Sequence, residues 1–134
     1  FANKYGVYIS DSFVNAANSS IATSIAGKCY LGRPWNAQDR SVYLNTYLDA
    51  SINSQGYKKW STNPATANYN NYTFMAEYNS TGPGYNLTGR IAGNVTIVLS
   101  PNQARAYGTP KDVFMTPDGS QPDISWIDAN AYTW

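Results

Sequence analysis

Catalytic chemistry on this chain has to come from carboxylates, arginine, tyrosine or a single thiol, because its 134 residues contain no histidine. That absence excludes Ser-His-Asp and Cys-His catalysis within the chain and removes the commonest zinc ligand. Glu77 is the one glutamate and invites a general-acid reading. Cys29 has only Lys28 beside it as a basic neighbour, so it reads as a small buried hydrophobe rather than a nucleophile. Asp112, Asp118, Asp123 and Asp128 cluster late in the sequence at no consistent ligand spacing, and the calcium-loop pattern is absent. Neither a metal nor a cofactor is expected. Arg33 carries a permanently charged planar fork that can hold a carboxylate in two parallel hydrogen bonds, which a lysine cannot copy.

The elements that position such groups must come from a chain with 43% hydrophobic and 13% charged residues, which suits one domain or part of one. Nine basic residues against eight acidic ones leave a charge of +1, and no run of Lys or Arg exists to neutralise a series of phosphates. Nucleic acid is not an expected partner. Nor is a membrane, since no apolar run approaches the roughly 18 residues of a spanning helix. The sequence starts at Phe1 without a leader pattern, which is read as a processed or incomplete soluble chain. Five Asn-x-Ser/Thr sequons, at Asn18, Asn71, Asn79, Asn86 and Asn94, point to N-glycosylation and an extracellular, secreted protein. One cysteine cannot form an intrachain disulfide, so rigidity must come from elsewhere, and a repetitive sheet would supply it.

Four segments alternate with period two and are rich in β-branched and aromatic residues: Gly6 to Phe13, Ser41 to Leu48, Tyr72 to Tyr78 and Val95 to Leu99. In the second, Val42, Leu44, Thr46 and Leu48 are expected on an apolar face, with Tyr43, Asn45 and Tyr47 on a wet one. The stretches between, rich in Asn, Ser, Gly and Pro, read as turns and long loops, including Asn15 to Ser20 and Asn79 to Tyr85. Strands at irregular intervals without amphipathic helices between them fit an all-β coil or solenoid, with a sandwich as the alternative. A short helix is expected from Ser100 as N-cap through Pro101 and Gln103 to Gly108. Beyond it the proline-rich tail should be irregular and pinned by Val113, Phe114, Trp126, Ile127 and Trp134. Residues 1–99 thus read as stacked coils and 100–134 as the helix and capping tail of the same domain.

Tyr30-Leu31-Gly32-Arg33-Pro34-Trp35 resembles the Leu-Gly-Arg-Pro-Trp signature of pectin methylesterases, and three further segments agree in order. Ile52 to Trp60 is similar to that family's Ile-x-x-x-Gly-Trp-x-x-Trp, with Tyr57 in place of the first Trp. Phe74 to Gly84 resembles its Glu-Tyr-x-Asn-x-Gly-Pro-Gly, with Ser80 where an Asn is common, and Arg90 matches a later Arg. The likeness continues through the terminal helix to Trp126.

The resemblance implies a right-handed parallel β-helix and hydrolysis of the methyl esters of homogalacturonan by two Asp residues with oxyanion-stabilising Gln residues. The family carries those groups on coils several tens of positions ahead of the signature, and only 32 residues precede Arg33. Tyr8 to Phe13 resembles the later strand that runs into the signature, so neither catalytic Asp is transferred to Asp11. The chain is expected to be the C-terminal portion of such an enzyme, inactive alone. In it Arg33 would orient the upstream nucleophile, and Trp35 would bind the sugar ring or methyl ester. A structural ion pair before Pro34 and ordinary core packing are the competing roles for the two residues. Asp39 and Arg40 are expected to form a solvated charge pair, Glu77 a structural contact near Arg90, and Met75 and Tyr78 core positions. Tyr69, Tyr72 and Tyr85 are expected mostly in packing. The expected partners are pectin or a related polysaccharide and the missing N-terminal part or further copies of the chain. A non-catalytic polysaccharide-binding or fibre-forming glycoprotein is the alternative, because an open coil end leaves backbone groups unpaired.

Overall fold

The computed structural model describes residues 5–128 and 130. Its strands are β1 (Val7–Ser10), β2 (Phe13–Val14), β3 (Arg40–Leu44), β4 (Tyr47–Leu48), β5 (Phe74–Tyr78) and β6 (Ile97–Val98). Every pairing between them is parallel. One sheet runs β1-β3-β5-β6 and a second pairs β2 with β4. Val7 faces Ser41 and Ser41 faces Met75, so equivalent positions recur every 34 residues. An isolated bridge from Tyr47 to Thr81 keeps the same spacing in the second sheet. Parallel pairing forbids tight hairpins, which accounts for the long connections between strands.

The strand-like segments expected at Gly6 to Phe13 and Ser41 to Leu48 are each broken in two. The breaks fall at Asp11 and Asn45, both at φ 49°, and Asn79 follows at φ 52° after β5. Short polar side chains tolerate this left-handed conformation because they hydrogen-bond locally. Here they also bond each other: Asn45 Nδ2 donates to Asp11 Oδ1 at 3.0 Å, and Asn79 Nδ2 donates to Asn45 Oδ1 at 3.0 Å. A three-rung polar ladder therefore marks the same sharp bend on consecutive levels.

The bend also corrects the expected faces. Val42 and Leu44 pack with Ala76, Leu99 and Ala104, whereas Leu48, beyond Asn45, joins Leu31, Tyr43, Ile52, Tyr57, Met75 and Val95. Tyr43, expected on a wet face, is buried, and its hydroxyl donates to the Leu31 carbonyl at 3.2 Å. A parallel sheet covered on both sides has no wet face. The inner cluster lies between the sheet and the returning turns, and the outer one lies under the terminal helices.

Among the described residues, four short α-helices decorate the turns: α1 (Ser19–Ile25), α2 (Leu87–Gly93), α3 (Pro101–Ala104) and α4 (Pro110–Phe114). Only α3 was legible in sequence, and its Ser100/Gln103 capping box is present; a 3₁₀ turn over Arg105–Tyr107 continues it to Gly108. Helix α1 begins at the end of the loop expected over Asn15 to Ser20, with Asn18 as its cap, and α2 is capped by Asn86. Helix α4, where irregular chain was expected, starts on a second capping box made by Thr109 and Asp112. The aromatic pinning is as expected: Phe114 meets Tyr5 and Trp126, each at 5.5 Å between ring centroids. Trp134 lies outside the described residues.

On β5, Met75 and Glu77 are buried, and Arg90 of α2 meets Glu77. Arg90 Nε stands 2.5 Å from Glu77 Oε1, and both side chains are completely buried. Arg90 also donates to the carbonyls of Asn53, Ser54 and Gly84 at 3.0, 2.8 and 3.2 Å. Gly56, at φ 74°, is held to glycine by this cluster, since a Cβ would fall 2.7 Å from Arg90 Nε and 2.7 Å from Thr96 Oγ1. Glu77→Ala leaves a buried guanidinium without its counter-ion and should cost about 3–5 kcal/mol in urea unfolding. The pair Glu77→Leu with Arg90→Met should fall closer to wild type than either single change, and additive losses would contradict the coupling.

At the turn after β4, Asp49 accepts from the backbone N–H of Ala16 at 2.5 Å, from Ser51 N–H at 2.9 Å and from the Ser51 hydroxyl. The Ser51 hydroxyl first, and the backbone donors with it, hold its pKa below the ordinary 3.8. A depressed carboxylate contributes stability above its unfolded value and loses it as the pH falls through the folded one. Wild type should therefore lose stability as pH drops past 3.8, and Asp49→Asn should show a shallower slope there in urea titrations at stepped pH. An unchanged slope would refute the assignment.

Candidate functional site

The signature segment leaves the core at Leu31 and is fixed at both ends by backbone bonds. Leu31 N–H donates to the Gly56 carbonyl at 2.9 Å, and Lys58 N–H donates to the Gly32 carbonyl at 3.1 Å. Pro34 is buried beneath the loop. Asn68 Nδ2 donates to the Trp35 carbonyl at 2.9 Å, and Trp35 N–H donates to Asp39 Oδ2 at 3.2 Å. A loop anchored at these points presents Arg33 and Trp35 outward, and Trp35 is 75% exposed.

Neither competing role for these two residues is found. The one ion pair among the described residues joins Arg90 to Glu77, so Arg33 closes no structural pair with a described carboxylate. Trp35 lies outside the core and packs edge-on against Trp60, with centroids 5.7 Å apart and planes at 87°. The expected charge pair of Asp39 and Arg40 is corrected as well. Asp39 caps the Trp35 N–H, while the Arg40 guanidinium lies 4.4 Å over the Phe74 ring and donates to the Tyr107 hydroxyl at 3.4 Å. Successive side chains of extended chain point to opposite faces, so the two neighbouring charges are carried apart at the start of β3.

An open cleft of about 510 Å³ adjoins Arg33, with Gln55, Lys58, Lys59, Trp60 and Ser61 on its walls. Lys58 and Lys59, two x positions of the second motif, carry no role in the sequence reading. Two adjacent cations in a chain so poor in charge were the available signal. A cavity of similar size, about 520 Å³, lies between β1 and the 107–114 segment and is lined mainly by aromatic and aliphatic side chains. It contains none of the expected site residues.

The other expected positions fall into the scaffold. Tyr57, the aromatic that replaces Trp, is completely buried; its hydroxyl bonds Ser41 Oγ at 3.0 Å, and burial pushes its pKa up. Glu77 is the partner of Arg90, as expected, and Met75 lies in the core. Tyr78 packs against the outer cluster, Tyr69 donates to the Val95 carbonyl at 3.3 Å, Tyr85 lies beneath Arg90 and Tyr72 is exposed. Cys29 is half-buried against the inner cluster and in no disulfide among the described residues. Asp118, Asp123 and Asp128 cap local turns, and two hydroxyls and a backbone donor lower Asp118 to about 2. Among the sequons, Asn18 and Asn86 cap helices, Asn71 is exposed, Asn79 is a rung of the ladder and Asn94 ends α2 in the left-handed conformation.

A family model described as Pectinesterase matches residues 2–116 of the chain. Pectinesterase 2 of Citrus sinensis is 36% identical over 103 residues, covering 76% of this chain and 19% of that protein. The "Probable pectinesterase/pectinesterase inhibitor 7" of Arabidopsis thaliana is 34% identical over 113 residues, covering 84% of this chain and 19% of that protein. A crystal structure of a pectin methylesterase mutant in complex with a hexasaccharide superposes with a TM-score of 0.61 at 26% identity, covering 89% of this chain and 37% of that one. The chain belongs to the pectinesterase family. It spans about a fifth of the length of these curated relatives.

The geometry separates the aromatics into two groups with opposite expected behaviour. Trp35→Ala should change the unfolding free energy by no more than about 0.5 kcal/mol, as for an exposed side chain. Tyr57→Ala should cost about 3–5 kcal/mol, as for a large aromatic lost from a core. Comparable losses at both positions in thermal or urea unfolding would contradict the outward placement of Trp35.

Proposed function

We propose that this chain is the C-terminal portion of a secreted enzyme that hydrolyses the methyl esters of homogalacturonan. Its stacked coils would continue a right-handed parallel β-helix, with residues 1–99 supplying coils and 100–134 the cap. Family membership supports the reaction class, the 34-residue parallel register supports the architecture, and the five sequons support the extracellular route. The observation that carries the reading is Arg33, outward beside Trp35 in the signature order and without a described carboxylate to neutralise it.

In the intact enzyme an Asp on an upstream coil attacks the ester carbonyl. A second Asp gives its proton to the departing methanol and then takes one from the water that cleaves the acyl-enzyme. Gln side chains hold the oxyanion. Arg33 keeps the nucleophilic carboxylate ionised and aimed by a paired hydrogen bond, and Trp35 offers its face to the sugar ring.

The chain alone, incubated with methyl-esterified homogalacturonan, should release no methanol above the uncatalysed rate. Genuine turnover would overturn the placement of both catalytic carboxylates upstream. In a polypeptide carrying those upstream coils, Arg33→Ala should lower kcat about a hundredfold with Arg33→Lys recovering only part of it, because a misaimed nucleophile loses rate steeply. Unchanged turnover would refute the assigned role.

A further inference from the structure

We propose that Asn86 and Asn94 carry N-linked glycans that cover the apolar face of α2 and the open edge of β6, and so keep a second copy of the chain from stacking on this end. The inference rests on the extracellular reading above and adds to it which sequons matter and what their sugars do.

Helix α2 has a sequon at each end. Asn86 is its N-cap and Asn94 its C-cap, and both are exposed. Asn86 accepts from Gly89 N–H at 2.8 Å through Oδ1, whereas Asn94 closes the helix with its backbone N–H, which donates to the Arg90 and Ile91 carbonyls. Neither duty falls on Nδ2. In N-glycosylation that nitrogen attacks C1 of an oligosaccharide carried on a lipid diphosphate. The new C1–N bond replaces the C1–O bond, the diphosphate leaves with the electron pair, and the amide gives up one N–H proton. Both caps therefore survive with the sugar in place. Asn79 is the contrasting sequon, because its Nδ2 donates to Asn45 in the polar ladder and its structural bond depends on the nitrogen a sugar would take. Thr96, the hydroxyl residue of the Asn94 sequon, is buried, so that sugar has to be added before α2 and β6 close.

The surface between the two caps needs cover. Leu87 and Ile91 stand four positions apart, hence on one face of the helix, and are 48% and 69% exposed. The strand that follows, β6, ends the sheet order with no neighbour on its far side among the described residues, and its Val98 is exposed. The aromatics of the terminal segment are engaged at the opposite edge, Phe114 on Tyr5 and Tyr107 on Tyr8. An open edge beside apolar side chains is a template for pairing with another chain, and proteins protect such edges by covering them. A glycan is bulky and solubilising. One at each end of this face excludes a partner while leaving helix and strand unaltered.

The test uses the chain secreted from a eukaryotic host, with occupancy mapped by peptide mass spectrometry after enzymatic glycan release and self-association followed by sedimentation velocity. Asn86 and Asn94 should both be occupied. Thr88→Ala with Asn94→Gly removes both sequons and keeps both caps, since Asn86 stays and glycine readily takes the left-handed conformation of position 94. This variant should self-associate about tenfold more tightly than wild type or more, with an unchanged circular dichroism spectrum. Adding Leu87→Glu with Ile91→Lys, charges that favour the helix at this spacing, should return it to the wild-type state. Occupied sequons elsewhere with Asn86 or Asn94 bare, a variant no more associated than wild type, or association that persists after the charges are added would each overturn the proposal and leave the extracellular reading standing. A chain with none of its sequons occupied would overturn the proposal and also strip that reading of its support from the sequons.

Discussion

A buried guanidinium with its carboxylate is the constraint that the rest of this fold accommodates. Arg90 reaches Glu77 on β5 and three carbonyls on two separate turns, so one side chain joins a strand, a helix and two loops from different levels. Burying such a pair is expensive unless the remaining donors are satisfied. Here Nε and both terminal nitrogens of Arg90 find acceptors. Gly56 is fixed by the space the pair requires, and Thr96 completes the wall by donating to the Gln55 carbonyl at 2.5 Å and accepting from Tyr57 N–H at 2.9 Å. The turn at 53–57 is thereby held against the helix, and the cleft-bearing segment from Lys58 to Trp60 starts from a rigid base.

The strand positions were legible in the sequence because strand patterning is local, whereas their parallel pairing was implied only by the family resemblance. All four expected segments contain strands, and Ser100-Pro101-Asn102-Gln103 announced its helix through side chains that act within one turn. What was not legible depended on stacking. The breaks at Asp11 and Asn45 are invisible to a period-two pattern, because each residue takes a left-handed conformation that its own side chain tolerates and its neighbours on adjacent levels reward. Tyr43 looked wet because one strand cannot reveal that helices and turns cover both faces of its sheet. Helices α1 and α2 were not read from the sequence, because each begins at the edge of an Asn-rich loop stretch and is held by an Asn cap rather than by strong helix formers.

The site divides the same way. Arg33, Trp35 and Trp60 were recognisable as motif residues, and Glu77 was correctly assigned to a contact with Arg90. That Arg33 stays outward and unneutralised by the described carboxylates required the loop anchors at Gly56, Lys58 and Asn68, which lie 23 or more residues away. Lys58 and Lys59 were variable positions of a motif in sequence and became walls of a cleft only when the 55–61 segment packed beside the signature. Chemistry that depends on a motif can thus be read from order, while chemistry that depends on charge gathered from two segments cannot.

The clamp itself is open to direct observation by NMR, through hydrogen exchange of the Arg90 Nε proton compared with that of exposed Arg105. The structure predicts that Arg90 Nε–H exchanges as slowly as the amide of Val42 in the sheet, released only when the whole fold opens. Exchange as fast as at Arg105 would mean that the guanidinium is solvated, and that something other than the Arg90–Glu77 pair holds the strands and turns together.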